Sequence, residues 1–298
     1  MYEIPRAPAL HRREHGTMNR TPSSPSVTTR PVPAIHLKDV QISFRLANGG
    51  RFDAVAESNL EVAQNEFVAI VGPTGCGKST LLNAVAGLLD PAGGTVEIEG
   101  QPLRGLNRKA GYLFQQDALM PWKTVLDNVA IGLQVAGTAK AQARDQARAW
   151  LTKVGLGNFG DRYPHMLSGG QRKRVGLAQV LIRNPKYLLM DEPFGPLDAQ
   201  TRVIMGDLLL DLWSQDKKAV MFVTHDLEEA IALADRVVIM SAGPRSRIMA
   251  EYPIALTRPR VISEIRLDHA FHEIHREIWN ALKEEVLKGY QQTSGARS

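Results

Sequence analysis

The sequence predicts an α/β fold built on an open parallel sheet, and three observations carry that expectation. Residues 67–71 (FVAIV), 187–190 (YLLM) and 219–223 (AVMFV) are short, wholly apolar runs, the pattern of strands covered on both faces. Helical composition follows them, as in LLNAVAGLL after the first, and strands alternating with helices arrange themselves as a parallel sheet. Between the first and second runs, residues from about 116 to 185 read as a mostly helical insertion.

Taken in order, residues 1–34 carry Pro5, Pro8, Pro22, Pro25, Pro31 and Pro33 among Arg, Ser and Thr without apolar periodicity, the signature of a disordered tail. Met18 within it is an alternative start. Residues 35–46 (IHLKDVQISFRL), 54–62 and 95–100 (TVEIEG) alternate as half-buried strands do, with turns expected at Asn48-Gly49-Gly50 and Gly93-Gly94. Residues 139–154 are rich in Ala, Gln and Arg and stop at Gly155, a helix with its terminator. RVVIM, at 236–240, is a further buried strand. Beyond residue 250, Phe271, Ile274, Ile278, Leu282 and Val286 recur at steps of three and four, giving a last helix one apolar face. The expected division is therefore a tail at 1–34, a main domain at 35–250 and a helical extension at 251–298.

The composition is that of an ordinary globular chain, 44% hydrophobic and 22% charged over 298 residues, with no internal repeat. No run of eighteen apolar residues and no cleavable leader occurs, so a cytosolic protein is expected. Cys76 is the single cysteine, which excludes an internal disulfide framework. A net charge of +5 is mild and is first a matter of solubility.

The chemistry lies in the loops. FVAIV runs directly into GPTGCGKST, comprising Gly72, Pro73, Thr74, Gly75, Cys76, Gly77, Lys78, Ser79 and Thr80, and then into a helix. Glycines allow successive N–H groups to turn inward onto phosphate oxygens, the helix adds its positive end, Lys78 reaches the outer phosphates and Ser79 offers a hydroxyl to Mg2+. That is a site for a nucleoside triphosphate such as ATP. Cys76 reads as a small buried loop residue, although alkylation there should block nucleotide. YLLMDEP ends a strand in two carboxylates, Asp191 suited to magnesium and Glu192 to polarising a water as general base. Taken alone it is also a plain acidic turn. His225, closing AVMFVTHD, stands either as a sensor of the terminal phosphate or as a structural histidine. In MLSGGQRKRVGLAQVLIRNP, Ser168, Gly169 and Gly170 open a helix and form a second anion site, which a neighbouring copy's triphosphate would fill.

Together, GPTGCGKST, LSGGQRKRVGLA, YLLMDEP, GPLD and THD, in this order over residues 35–250, resemble the ATP-binding subunit of an ABC transporter. The resemblance implies a P-loop NTPase (RecA-like) core with an antiparallel β subdomain and the helical insertion. It implies that Lys78, Ser79, Gly75 and Gly77 hold the phosphates and magnesium, and that Gln115 reaches the magnesium or the attacking water. Ser168, Gly170 and Gln171 would serve the opposite ATP of a homodimer, Glu192 would be the base and His225 its partner at the γ-phosphate. Asp198 would belong to the loop coupling the two sites, where Pro196 departs from the usual small residue. Phe44 would stack on adenine, or else is a core residue.

A chain with one such domain and no membrane span borrows its membrane part, so an importer with separate permease subunits is expected, placed peripherally on the cytoplasmic face of the plasma membrane. In the family a groove beside Gln115 receives a short permease helix, and Trp122 next to Pro121 suits such a contact, unless it packs inside the insertion. ALMPWKTVLDNV and the TRPR tail resemble the nitrate, sulfonate, taurine and bicarbonate importers, whose solute is chosen by a solute-binding protein and the permease. The alternative, an ABC ATPase on nucleic acid, would use Arg6, Arg12, Arg13, Arg20 and Arg30, and nucleic acid is not the expected partner. His269, His272 and His275 drift about 60° per step round a helix, so three imidazoles do not meet one ion.

Overall fold

The computed structural model describes residues 31–295. The expected tail up to residue 30, with Met18 and the five arginines above, lies outside the described residues. Ala34 is buried and donates its N–H to Val62 O at 2.8 Å.

The strands are β1 (Ile35–Arg45), β2 (Arg51–Val62), β3 (Phe67–Val71), β4 (Gly93–Ile98), β5 (Gln101–Pro102), β6 (Ala110–Leu113), β7 (Tyr187–Asp191), β8 (Ala219–Val223), β9 (Arg236–Met240) and β10 (Ile248–Pro253). They form a four-stranded antiparallel sheet in the order β2-β1-β4-β5 and a six-stranded sheet in the order β10-β9-β3-β8-β7-β6. The second is parallel except for its edge, where β10 runs antiparallel to β9. The expected α/β core and antiparallel subdomain are both present.

The Gly93-Gly94 turn is a correction. Gly94 (φ 74°) lies inside β4 and brings that strand against β1, where a Cβ would stand 2.3 Å from the carbonyl oxygens of Lys38 and Asp39. The pair of glycines marks a close backbone approach, and a sequence does not distinguish that from a turn.

The helices are α1 (Lys78–Ala86), α2 (Val125–Val135), α3 (Lys140–Lys153), α4 (Gly169–Leu181), α5 (Ala199–Gln215), α6 (Leu227–Leu233), α7 (Ile262–Ile265) and α8 (His269–Gly295). Residue parity along β3 sorts the core. Phe67, Ala69 and Val71 face a cluster with Leu177, Phe194, Phe222 and Ile231, whereas Val68 and Ile70 face one with Ile35, Leu37, Leu81 and Val85. Each wholly buried Phe or Ile contributes about 1.5–3 kcal/mol relative to exposure. The helical insertion has its own core, with Val125 and Val129 of α2, Ala143, Ala147 and Leu151 of α3, and Val175 of α4. On α8, Phe271, Ile278 and Leu282 are buried in the same cluster as Phe194, so the apolar stripe of the last helix docks on the main core. No helix among the described residues is long and apolar enough to cross a membrane.

Candidate functional site

The phosphate loop is shaped by its surroundings. It leaves the buried end of β3 and enters α1, whose N-cap is Gly77 at φ 98°. A Cβ on Gly77 would stand 2.9 Å from Val55 Cγ2, and one on Gly72 would stand 2.8 Å from Met240 O. Strand β2 and the end of β9 therefore press the loop into its curve. Lys78 is buried and donates to Gly72 O (2.9 Å) and Pro73 O (3.0 Å), arching over the loop it follows. Thr74 and Gly75 are exposed and Ser79 and Thr80 half-buried. Cys76 is buried. Its N–H donates to Pro73 O (3.2 Å), its carbonyl accepts from the Ser246 hydroxyl, and burial pushes its thiol up. The residue serves the shape of the loop and exposes no reactive sulfur.

The carboxylates at the end of β7 meet this loop. Ser79 Oγ donates to Asp191 Oδ1 at 2.7 Å. Burial pushes Asp191 up, the Ser79 hydrogen bond opposes this, and the neighbouring Glu192 charge adds to it. The Ser79 hydroxyl and the partly desolvated Asp191 carboxylate, held together, are two hard oxygen donors that fit Mg2+. Glu192 occupies the left-handed region at φ 40°, a costly conformation for a residue with a side chain. Its Oε2 accepts from Gln115 Nε2 at 3.1 Å and lies 3.1 Å from His225 Nδ1. Gln115, Glu192 and His225 thus converge on one carboxylate oxygen, with Ser79 and Asp191 beside them. Behind His225, Thr224 Oγ1 donates to buried Glu229 Oε2 (2.6 Å) and accepts from Asp226 N (3.0 Å), fixing the loop that carries the imidazole.

Sequence reasoning missed Tyr112. It lies on β6, its hydroxyl donates to Asn83 Oδ1 (2.9 Å), and burial together with Asp191 pushes it up. No motif announces a tyrosine brought in by strand pairing.

Ser168, Gly169 and Gly170 lie elsewhere. Ser168 caps α4 by accepting from Gln171 N (3.3 Å), and Gln171 Oε1 accepts from Ser168 N (3.0 Å), so the Gln171 side chain is engaged in its own capping box. Gly170 is a close-approach residue, since a Cβ there would stand 2.6 Å from Thr201 Cγ2. Asp198 caps α5, accepting from Thr201 N (2.9 Å) and Thr201 Oγ1 (2.6 Å), contacts that hold its carboxyl below the usual range. Phe44 is 40% exposed, stands opposite Phe52 on β2 and belongs to neither core, which removes the alternative that it is a core residue.

The Gln115 loop is tied on both sides. Lys173 of α4 donates to Gln115 O (2.7 Å) and pairs with Asp117 Oδ1 (3.0 Å), while Arg172 Nε holds Asp117 Oδ2 (2.9 Å). Farther along, buried Asn128 accepts from Met120 N (2.7 Å) and donates to the carbonyls of Met120, Lys123 and Thr124, pinning the segment around Pro121. Trp122 is 73% exposed and packs inside nothing.

Two clefts adjoin this region. One, of about 630 Å³, is lined by Leu88, Leu106, Tyr112, Phe114, Ile131 and Val180; Trp122 is not part of its wall. The other, of about 920 Å³, lies between the phosphate loop, His225 and α8, with His275 and Trp279 on the helix side. Helix α8 also braces the loop: Glu285 Oε2 accepts from Ala242 N (2.8 Å), and a Cβ on Gly289 would stand 3.2 Å from Pro73 Cβ.

A sequence profile described as ABC transporter matches residues 55–195. A putative ATP-binding protein of Brucella abortus (strain 2308) is 45% identical over 245 residues, 82% of this chain and 94% of that protein. The taurine import ATP-binding protein TauB of Escherichia coli (strain K12) is 44% identical over 225 residues, 76% of this chain and 88% of that one. Among solved structures, the ATP-binding cassette MJ0796, a dimer in a post-hydrolysis state bound to ADP and Pi, superposes with a TM-score of 0.66 at 31% identity, covering 75% of this chain and 100% of that one.

Proposed function

The chain belongs to the ABC transporter family and is an ATP-hydrolysing subunit of the importer type, and from that premise we propose how its residues carry out the reaction and what it serves. The observation that carries the reading is the convergence of Gln115 and His225 on Glu192 Oε2, next to the Ser79–Asp191 pair.

In the proposed mechanism the phosphate loop binds the triphosphate, with Lys78 turning from its two carbonyls to the outer phosphate oxygens. Ser79, Asp191 and Gln115 would hold Mg2+, which would supply neutralisation of the phosphate charge. Glu192 takes a proton from the attacking water as its oxygen bonds to the γ-phosphorus and the bond to ADP breaks, releasing ADP and phosphate. Gln115 orients that carboxylate through its amide N–H, which leaves its amide oxygen for the magnesium or for the attacking water. His225 Nδ1 faces Glu192, leaving Nε2 for the γ-phosphate.

The Ser168–Gly170 helix start makes its contacts in this chain to α5 and its cap, which supports a role toward the triphosphate of a second copy in an ATP-bound homodimer. Phe44, exposed on β1, would stack on the adenine, and Asp198 would belong to the coupling loop. The cleft beside Phe114, lined by apolar side chains and also by Arg108, Lys109, Arg183 and Lys186, with the exposed Trp122 nearby in sequence, is the proposed seat of the permease, which would hold the subunit at the cytoplasmic face of the membrane. The solute is proposed to be a small anion such as taurine, another sulfonate, nitrate or bicarbonate, delivered by a periplasmic or extracellular solute-binding protein. The kinship with a taurine import subunit supports that class.

The test is Glu192→Gln. It keeps the shape of the side chain but removes the base, so phosphate release should fall by about 10²–10⁴ while ATP binding persists and light scattering reports a dimer in excess ATP. Near-normal turnover, or a monomer under those conditions, would count against the reading.

A further inference from the structure

Gln115 is held at both ends. Its amide donates to Glu192 Oε2 (3.1 Å), and its own carbonyl accepts from Lys173 Nζ (2.7 Å). The Lys173 side chain is 4% exposed, so its ammonium is no solvated surface charge. Two of its three N–H donors are accounted for on the Gln115 loop, at Gln115 O and at Asp117 Oδ1 (3.0 Å). Asp117 has a second cation in Arg172 Nε (2.9 Å), and Arg172 Nη1 reaches back to Leu167 O (2.7 Å) beside the helix start. Asp117 would therefore stay paired without Lys173. What Lys173 alone adds is the bond to the backbone of the residue that orients Glu192.

Lys173 lies five residues after Ser168, about 7.5 Å along the axis of α4. The helix whose first turn offers the second anion site is thus joined, within two turns, to the residue that orients the base at the first.

We propose that Lys173 is a positioning residue that couples the two sites: a shift of α4 moves the backbone of Gln115, and with it the amide that orients Glu192. This rests on the hydrolytic and dimeric reading above and adds to it the route by which occupancy at one cradle is felt at the other. A displacement of about 1 Å at a reacting group is enough to lower a rate by orders of magnitude, so a short rigid tie suffices.

The experiment is steady-state phosphate release by the full chain as a function of ATP, for the unaltered protein, Lys173→Met, Lys173→Arg and Glu192→Gln, with thermal melting of each. Lys173→Met keeps the aliphatic stem and leaves the Gln115 carbonyl, on an exposed residue, to water. The coupling role predicts a fall in kcat of about ten-fold with KM within about two-fold. It also predicts a Hill coefficient moving toward one and at least partial recovery in Lys173→Arg. Unchanged kcat and Hill coefficient in Lys173→Met would overturn it. So would joint loss of kcat, ATP affinity and melting temperature without recovery in the arginine variant, the mark of a purely structural lysine. Should Lys173→Met fail to fold, Lys173→Gln, which retains a donor, takes its place on the same criteria. Glu192→Gln separates the two readings: full turnover there strikes hydrolysis by Glu192 itself, whereas lost turnover beside a normal Lys173→Met strikes the coupling alone.

Discussion

Glu229 lies behind the His225 loop, 5% exposed, with Oε2 bonded to Thr224 Oγ1 (2.6 Å) and Oε1 without a hydrogen-bond partner among the described residues. Burial raises its carboxyl from 4.5 to about 7; the Thr224 bond opposes this, the Asp226 charge adds to it, and Arg202 and Arg266 oppose it. A carboxyl that is harder to ionise in the folded chain favours folding fully below its unfolded value and loses that contribution as pH rises through the folded one. The window therefore runs from 4.5 to about 7, and at about 1.4 kcal/mol per unit it spans about 3.5 kcal/mol in all. Glu229→Gln keeps the volume and an acceptor for Thr224 but cannot ionise, so any fixed cost of its amide is the same at every pH. The stability of the variant minus that of the unaltered chain should rise by about 2.5 kcal/mol between pH 5 and pH 8, read by urea denaturation at each pH. A difference flat across this range, or one that falls, would refute the assignment of a buried, reluctantly ionised carboxyl.

Gly170→Ala forces a methyl to 2.6 Å from Thr201, whose hydroxyl and N–H are both committed to Asp198, so it should cost about 1–3 kcal/mol in denaturant melts. Asn128→Ala removes four contacts to the Met120–Thr124 segment; it should cost about 1–3 kcal/mol and speed amide exchange at Met120. N-ethylmaleimide should modify Cys76 far more slowly in the native chain than in urea, since the thiol is 1% exposed and pushed up by burial, and equal rates by mass spectrometry would contradict that placement.

What the sequence disclosed and what it hid divide along a physical line. The phosphate loop, the Ser168 helix start and the apolar strands were legible because each owes its form to neighbours in the chain: glycines at positive φ, a capping box, alternation of faces. The pairing of Ser79 with Asp191 and the approach of Gln115 and His225 to one oxygen span between 33 and 112 positions, and only motif order hinted at them. Tyr112, Lys173 and Asn128 left no trace, since a tyrosine in a strand, a lysine in a helix and an asparagine after an aspartate are unremarkable until the tertiary contacts form. Phe44 and Trp122 had two readings each, and exposure removed the buried one in both cases. The Gly93-Gly94 pair misled because glycine serves turns and tight strand crossings alike.

The bracing of the phosphate loop by α8 bears on where this chain can be cut. Recognisable motifs stop before residue 250, yet a chain ended there would lose the Phe271–Leu282 stripe that packs in the main core beside α6, the Glu285 carboxylate on Ala242 and the helix surface against Pro73. The minimal unit by resemblance is shorter than the minimal unit by packing.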